Sequence, residues 1–262
     1  MARKIDLLKY GPWAVVTGAS DGIGRATAAQ LAAAGFSVAL VARRVDIMES
    51  LAAQLTHRYK VSTTVIGVDL VDRNSVSVIA SATSEVDVGL LVQAAGYGRV
   101  GSFLDVDAAA DNDMITLNIG VVTELAHVFG ARLTRRRRGG MILYGSILGW
   151  QGGPLHATYS ATKAYNQSLA EALHVEWRKD GVDVLAVAPG PVHTGFAGRA
   201  GMRLNVGTTP DVVARSTLAN LGRRATVVPG GMAKLMTAGL RTAPRTFRAK
   251  IMHSMNSSAV DK

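Results

Sequence analysis

A five-residue apolar run, Trp13–Thr17, passes straight into Gly18-Ala-Ser-Asp-Gly22-Ile-Gly24, and a helical stretch follows from Arg25 to Ala34. Strand, glycine turn, helix is the context in which a chain holds a dinucleotide diphosphate. Glycine permits the tight turn and the close approach of backbone N–H groups, and the helix N-terminus adds partial positive charge. The spacing here is G-x-x-x-G-x-G rather than G-x-G-x-x-G. Further strand-like runs recur near Ser37–Val41, Thr63–Val68, Gly89–Ala94, Gly140–Gly145, Val182–Ala188 and Ala225–Val228, with helical patterns in most gaps. The strands are continuously apolar, as expected when both faces are covered. The alternation predicts an α/β architecture, a parallel sheet with helices on both sides.

A second pattern carries chemistry. Tyr159 and Lys163 are four residues apart on a predicted helix, so they share a face. Ser146 lies upstream, at the end of an apolar strand. A free phenol has a pKa near ~10, and a nearby fixed cation favours the phenolate and lowers that value. Tyr159 can then exchange a proton with a carbonyl or alcohol oxygen that the Ser146 hydroxyl holds by a hydrogen bond. Tyr-x-x-x-Lys alone also arises on helices with no such role.

Taken together, Thr17-Gly-Ala-Ser-Asp-Gly-Ile-Gly24, Ala94-Ala95-Gly96, Asn118, Ser146, Tyr159-x-x-x-Lys163 and Pro189-Gly190-x-Val192-x-Thr194 resemble the short-chain dehydrogenase/reductase family in order and approximate spacing, from about Gly11 to Thr194. The opening Tyr10-Gly-Pro-Trp-Ala-Val-Val-Thr-Gly looks like the branch acting on long-chain 3-oxoacyl and steroid substrates. The resemblance implies a single-domain Rossmann fold, a doubly wound sheet of seven parallel strands. It implies that Tyr159 is the acid/base, that Lys163 lowers its pKa and bonds the nicotinamide ribose, and that Ser146 orients the substrate oxygen. Asn118 would hold a water linking Lys163 to solvent. Gly18, Ser20, Asp21, Gly22, Ile23 and Gly24 would cradle the cofactor. Ala94, Ala95 and Gly96 would line its cleft, and Pro189, Gly190, Val192 and Thr194 would meet the nicotinamide end. One departure stands out: Gln93 occupies the place where the family usually has Asn before Ala-Ala-Gly.

Cofactor choice is read at the end of the second strand. A carboxylate there would accept ribose hydroxyls, but the chain has Ala42-Arg43-Arg44. A guanidinium pairs with a phosphate, so NADP(H) is expected. The competing reading makes both arginines a solvated helix start, with Asp46 close by. Asp69-Leu70 matches the family position that contacts the adenine amino group; alternatively, Asp69 caps the next helix. The expected reaction is hydride transfer between NADPH and a carbonyl carbon, with Tyr159 protonating the oxygen.

The chain of 262 residues reads as one domain, 1–262, with a lid about 191–210 and a basic amphipathic tail about 231–262. With no cysteine there is no disulfide and no thiolate metal site, and the six histidines show no metal spacing, so no metal is expected. His156 reads as a polar loop residue or a substrate contact. The start, Met1 to Tyr10, lacks a signal-peptide core, and the uncharged run Ala26 to Ala42 reads as helix, turn and strand. A cytoplasmic protein is expected, with peripheral membrane contact through the tail as a further reading. Net charge is +10, and Arg135 to Arg138 read as cations at a helix C-terminus; no specific nucleic-acid module is present. In the tail, apolar Leu235, Met236, Leu240, Phe247, Ile251, Met252 and Met255 mix with Lys234, Arg241, Arg245, Arg248 and Lys250, and Pro244 divides it into two helical pieces. It lies on a membrane, covers the substrate cleft or meets a partner subunit. The lid carries Phe196, Met202 and Leu204 with Arg199 and Arg203; Tyr97, Val100, Phe103, Leu148, Trp150 and Leu155 add apolar walls. Such a pocket suits a lipophilic carbonyl or alcohol, acyl or steroid. The family implies a homodimer or homotetramer through helices near Asp111–Leu133 and Ala157–Lys179. Two alternatives are a non-catalytic NADP-binding regulator and a membrane-associated scaffold that retains the fold.

Overall fold

The computed structural model describes residues 5–201 and 206–260; the side chains of Leu240, Arg241 and residues 255–260 fall outside that description. The expectations on Met202, Arg203 and Leu204 in the lid, and on Leu240, Arg241 and Met255 in the tail, therefore lie outside the described residues.

A short helix, α1 (Leu7–Tyr10), leads into β1 (Trp13–Thr17). Then come α2 (Gly22–Ala33), β2 (Ser37–Ala42), α3 (Val45–Tyr59), β3 (Thr63–Gly67), α4 (Ser75–Ala82) and β4 (Val88–Gln93). A helical run follows as α5 (Ala108–Ile115), a π-helical turn (Thr116–Gly120) and α6 (Val121–Arg136), and then β5 (Gly139–Tyr144). A 3₁₀ turn (Ile147–Trp150) precedes α7 (Ala157–Glu176) and β6 (Val182–Val187). The remainder is α8 (Gly195–Arg199), α9 (Pro210–Asn220), β7 (Thr226–Val227), α10 (Gly231–Arg241) and α11 (Arg245–Val260).

The seven strands form one parallel sheet in the order β3-β2-β1-β4-β5-β6-β7. Their unbroken apolar character follows from two-sided burial. Ala14, Val16, Val38, Leu40, Leu90, Val92, Ile142 and Leu185 face one core with Ala28, Leu31, Met48 and Val213 from α2, α3 and α9. Val15, Ala39, Val41, Leu91, Met141, Leu143 and Val184 face the other, with Ile79, Val122, Phe129, Leu133 and Ala170 from α4, α6 and α7. The chain winds outward from β1 to β3, then returns to β4 on the opposite side of β1. The order reverses there, and a crevice opens beyond the C-terminal ends of β1 and β4.

The run Ala26 to Ala42 is helix, turn and strand; the turn is made at Gly35, whose φ is +96°. The stretch Ala108–Arg136 has the length and hydropathy of a membrane span, yet Val121, Val122, Leu125, Phe129 and Leu133 are packed beneath the sheet. The arginine run sits where α6 ends. Arg136 donates to Asp87 at 2.9 Å, and Arg137 to Asp180 at 3.1 Å. Local carboxylates thus take up much of that charge at the N-terminal end of the sheet, away from the crevice.

Candidate active site

At the crevice mouth, Gly18 (φ +68°) and Gly22 (φ +55°) hold left-handed backbone that a side chain disfavours. A Cβ on Gly18 would lie 2.9 Å from Ala95 Cα, and one on Gly24 would lie 2.3 Å from the Gly18 carbonyl oxygen. The turn therefore presses against Ala94 and Ala95, leaving bare backbone at the N-terminus of α2. Asp21 caps that helix by accepting from the Gly22 N–H at 2.7 Å, and Ile23 packs against the core below. Such a cradle admits a diphosphate. At the end of β2, exposed Arg43 meets Asp69 at 3.3 Å, while Arg44 donates to Ser20 at 3.0 Å. Asp69 does not cap α4, which starts only at Ser75; it accepts from the Val71 N–H at 3.2 Å, and Leu70 is buried beside it.

Across the crevice, Ser146 ends the segment after β5, and its hydroxyl accepts from the Leu148 N–H at 3.2 Å. Ser146 also lies close enough to Tyr159, on the first turn of α7, to oppose the rise of its pKa. One turn further on, the buried Lys163 donates from Nζ to the Tyr144 carbonyl at 2.9 Å and stands 5.7 Å from the centre of the Tyr159 ring. A Cβ on Gly96 would lie 2.9 Å from Asn118 Oδ1 and 3.3 Å from Lys163 Nζ, so these three residues converge from three elements. Asn118 comes from the π-helical turn, a distortion that often marks functional sites.

The electrostatics correct one expectation. Burial pushes the Tyr159 hydroxyl up to about 12, with the Ser146 side chain opposing; burial brings Lys163 down to about 8. The cation does not lower the phenol here. Lys163 stacks over the ring and gives its hydrogen bond to Tyr144, so desolvation of each charged form dominates. Asn118 is fully buried beside Lys163. Its Nδ2 donates to the Tyr97 carbonyl at 2.9 Å and to Thr162 Oγ1 at 3.1 Å, and its Oδ1 accepts from the Tyr97 N–H at 3.3 Å. The amide thereby holds the loop after β4. Gln93 donates to the Val122 carbonyl of α6 at 3.1 Å and to Met141 Sδ of β5 at 3.7 Å, and its buried Oε1 has no partner among the described residues. His156 is not surface: it is 4% exposed, its Nδ1 lies 3.2 Å from the Arg99 carbonyl, and burial lowers its pKa.

The segment after β6 closes the front. Ile147 N–H donates to the Pro189 carbonyl at 3.1 Å, and a Cβ on Gly190 would meet Ala233 Cβ at 2.9 Å. Val192 bridges to Thr208. Thr194 caps α8 at 3.2 Å while its methyl group covers Gly22. Phe196 then lies against Tyr159, with ring centres 5.6 Å apart, and Arg199 pairs with Asp21 at 3.0 Å. Of the expected walls, Tyr97, Val100, Leu148, Trp150 and Leu155 are half-buried, whereas Phe103 is exposed.

Sequence reasoning missed three contributors. Thr17 Oγ1 accepts from the Ala95 N–H at 3.1 Å, Thr162 fixes Asn118, and the Tyr144 carbonyl holds Lys163. Thr17 and Thr162 stand inside or beside the motifs; a main-chain acceptor has no residue-type signal.

A family model described as short chain dehydrogenase matches residues 12–203. A very-long-chain 3-oxoacyl-CoA reductase from Laccaria bicolor is 38% identical over 180 residues, covering 67% of this chain and 53% of that protein. The chain thus spans about half the length of that relative. A 7beta-hydroxysteroid dehydrogenase from Clostridium sardiniense is 33% identical over 186 residues, covering 71% of each. Among solved structures, a short-chain dehydrogenase from Sphingobium yanoikuyae in complex with NADPH superposes with a TM-score of 0.79 at 28% identity, covering 90% of this chain and 97% of that one.

Proposed function

The chain belongs to the short chain dehydrogenase family, and from that premise we propose that it is an oxidoreductase using NADP(H) to interconvert a carbonyl and a secondary alcohol on a lipophilic substrate. One observation carries the reading. Lys163 stands beside Gly96 and the Tyr159 ring beside Gly98, with Ser146 next to Tyr159, on the segment that continues the Ala94–Ala95 floor under the glycine turn. A proton donor and a cofactor cradle therefore share one cleft.

The residues fit NADP(H). The tight turn at Gly18, Gly22 and Gly24 brings main-chain N–H groups to the N-terminus of α2, where a diphosphate would be held, flanked by Ser20, Asp21 and Ile23. Arg43 and Arg44 offer guanidinium groups to a ribose phosphate, with Asp69 and Leu70 at the adenine end. Ala94, Ala95, Gly96, Pro189, Gly190, Val192 and Thr194 border the rest. Bound NADPH supplies the two-electron reduction of the substrate carbon. The Ser146 hydroxyl orients the substrate oxygen. Tyr159, held protonated by its surroundings, is in the correct state to deliver a proton to that oxygen. Lys163 keeps a cation beside the ring, and Asn118 fixes the loop over it.

Phe196, Trp150 and Leu155 support an apolar substrate, and the relatives' names bracket acyl and steroid types. Replacing Tyr159 by Phe should leave NADPH affinity nearly intact while turnover falls at least about a hundredfold. Stopped-flow NADPH oxidation across ketones, 3-oxoacyl thioesters and steroids measures both; undiminished turnover would refute the role. The helical run 108–136 and α7 are the proposed surface for homodimer or homotetramer contact, to be read by light scattering.

A further inference from the structure

We propose that α10 and α11 form a docking face for an anionic lipid surface, placed beside the substrate mouth. Charge gives the first argument. Residues 231–262 hold six Lys and Arg against the single Asp261, which accounts for five of the ten net charges of the chain. The other 230 residues share the remaining five, so the basic character is concentrated in this tail.

Side-chain placement gives the second argument. In α10, Ala233 and Thr237 are buried and Met236 is half-buried, while Met232 and Leu235 are 57% and 70% exposed, with Lys234 and Ala238 on the outside. In α11, Met252 is buried and Phe247 is 55% exposed, with Arg245 and Lys250 exposed near it. The inner faces close on one floor: Met236, Thr237, Arg248 and Met252 enclose a small gap with Ile147, Trp150 and Gln151. That floor begins one residue after Ser146, and Ala233 abuts Gly190. The outer faces therefore look away from the active-site rim. Exposed Met, Leu and Phe ringed by cations is the pattern of a helix that lies in a lipid interface. Phe103 and Leu104, 63% and 90% exposed after β4, add an apolar lip at the same end of the sheet.

Other occupants fit less well. A second copy docking the same face two-fold would bring like charges together. Nucleic acid would use the cations but leave Met232 and Leu235 in water. The lipid surface satisfies both features. The binding stands apart from catalysis; its use, delivery of a membrane-dissolved substrate, rests on the function proposed above.

The full chain should sediment with phosphatidylcholine vesicles doped with phosphatidylglycerol, and much less with pure phosphatidylcholine. Added salt should weaken that binding. K234E/K250E and M232S/L235S/F247S should each lose at least about tenfold in vesicle partition. Both variants should keep wild-type turnover of a small water-soluble ketone. Lack of anionic-vesicle binding, or binding indifferent to both variants, would overturn docking. So would variants that change the lipid-free mass, which would assign the face to a second copy, or tighter retention on duplex DNA than on vesicles. Ketone turnover without vesicle binding removes the docking alone; vesicle binding without any turnover removes the redox reading alone.

Discussion

At the scale of single residues, Lys163 shows how a site can oppose stability. Its folded pKa, about 8, lies below the ordinary lysine value because the ammonium is buried. Below that pH the folded state carries a cation that the unfolded chain hydrates better. Stability therefore rises with pH from about 8 toward the unfolded lysine value, since the unfolded chain binds more protons across that window. Replacing Lys163 by Met should raise stability at pH 7 by on the order of 2–3 kcal/mol in urea unfolding while abolishing turnover. A second expectation concerns rate. Tyr159, at about 12, stays protonated through the working range, so the fall of reductive turnover at high pH should follow Lys163 and begin near 8. A pH–rate profile flat to 10 would show that the cation has no part in the step. The Tyr159–Lys163 spacing was legible because i, i+4 is a local rule. The direction of the pKa shift was not, because it depends on β5 and on the packing above α7, far away in sequence.

At the scale of elements, the strands could be read almost to the residue, since an apolar run bounded by glycine and polar residues has one plausible use in this pattern. The interruption of the helix between α5 and α6 could not. Thr116–Gly120 contains nothing that announces a π turn; the distortion follows from seating Asn118 between Tyr97 and Thr162. Helix ends are open to direct test. Lys60 stops α3 in left-handed backbone with φ +58°, where glycine is favoured, and its side chain is exposed. Lys60→Gly should stabilise the protein by roughly 0.5–1 kcal/mol in thermal or urea unfolding, because the steric cost at the cap is removed.

At the scale of the whole molecule, the two apolar layers and the reversal at β1/β4 were implicit in the order of strands and helices, and a lid carrying Phe196 and Arg199 was expected; their partners, Tyr159 and Asp21, were not legible because they come from distant segments. Ligand linkage should report the cleft as a unit. A ligand bound only by the folded state adds about 2.7 kcal/mol at a hundred times its Kd. NADPH should therefore raise the unfolding midpoint more than NADH at equal concentration, and Arg43→Ala should narrow that gap; equal shifts by both nucleotides in the wild-type protein would remove the phosphate argument. The acceptor that holds Lys163 is the Tyr144 carbonyl, main chain of a strand paired to β4 and β6. No single point mutation can delete a peptide oxygen, so this anchor is inherited with the sheet itself, and drift at position 144 can alter its side chain while the ammonium keeps its moorings.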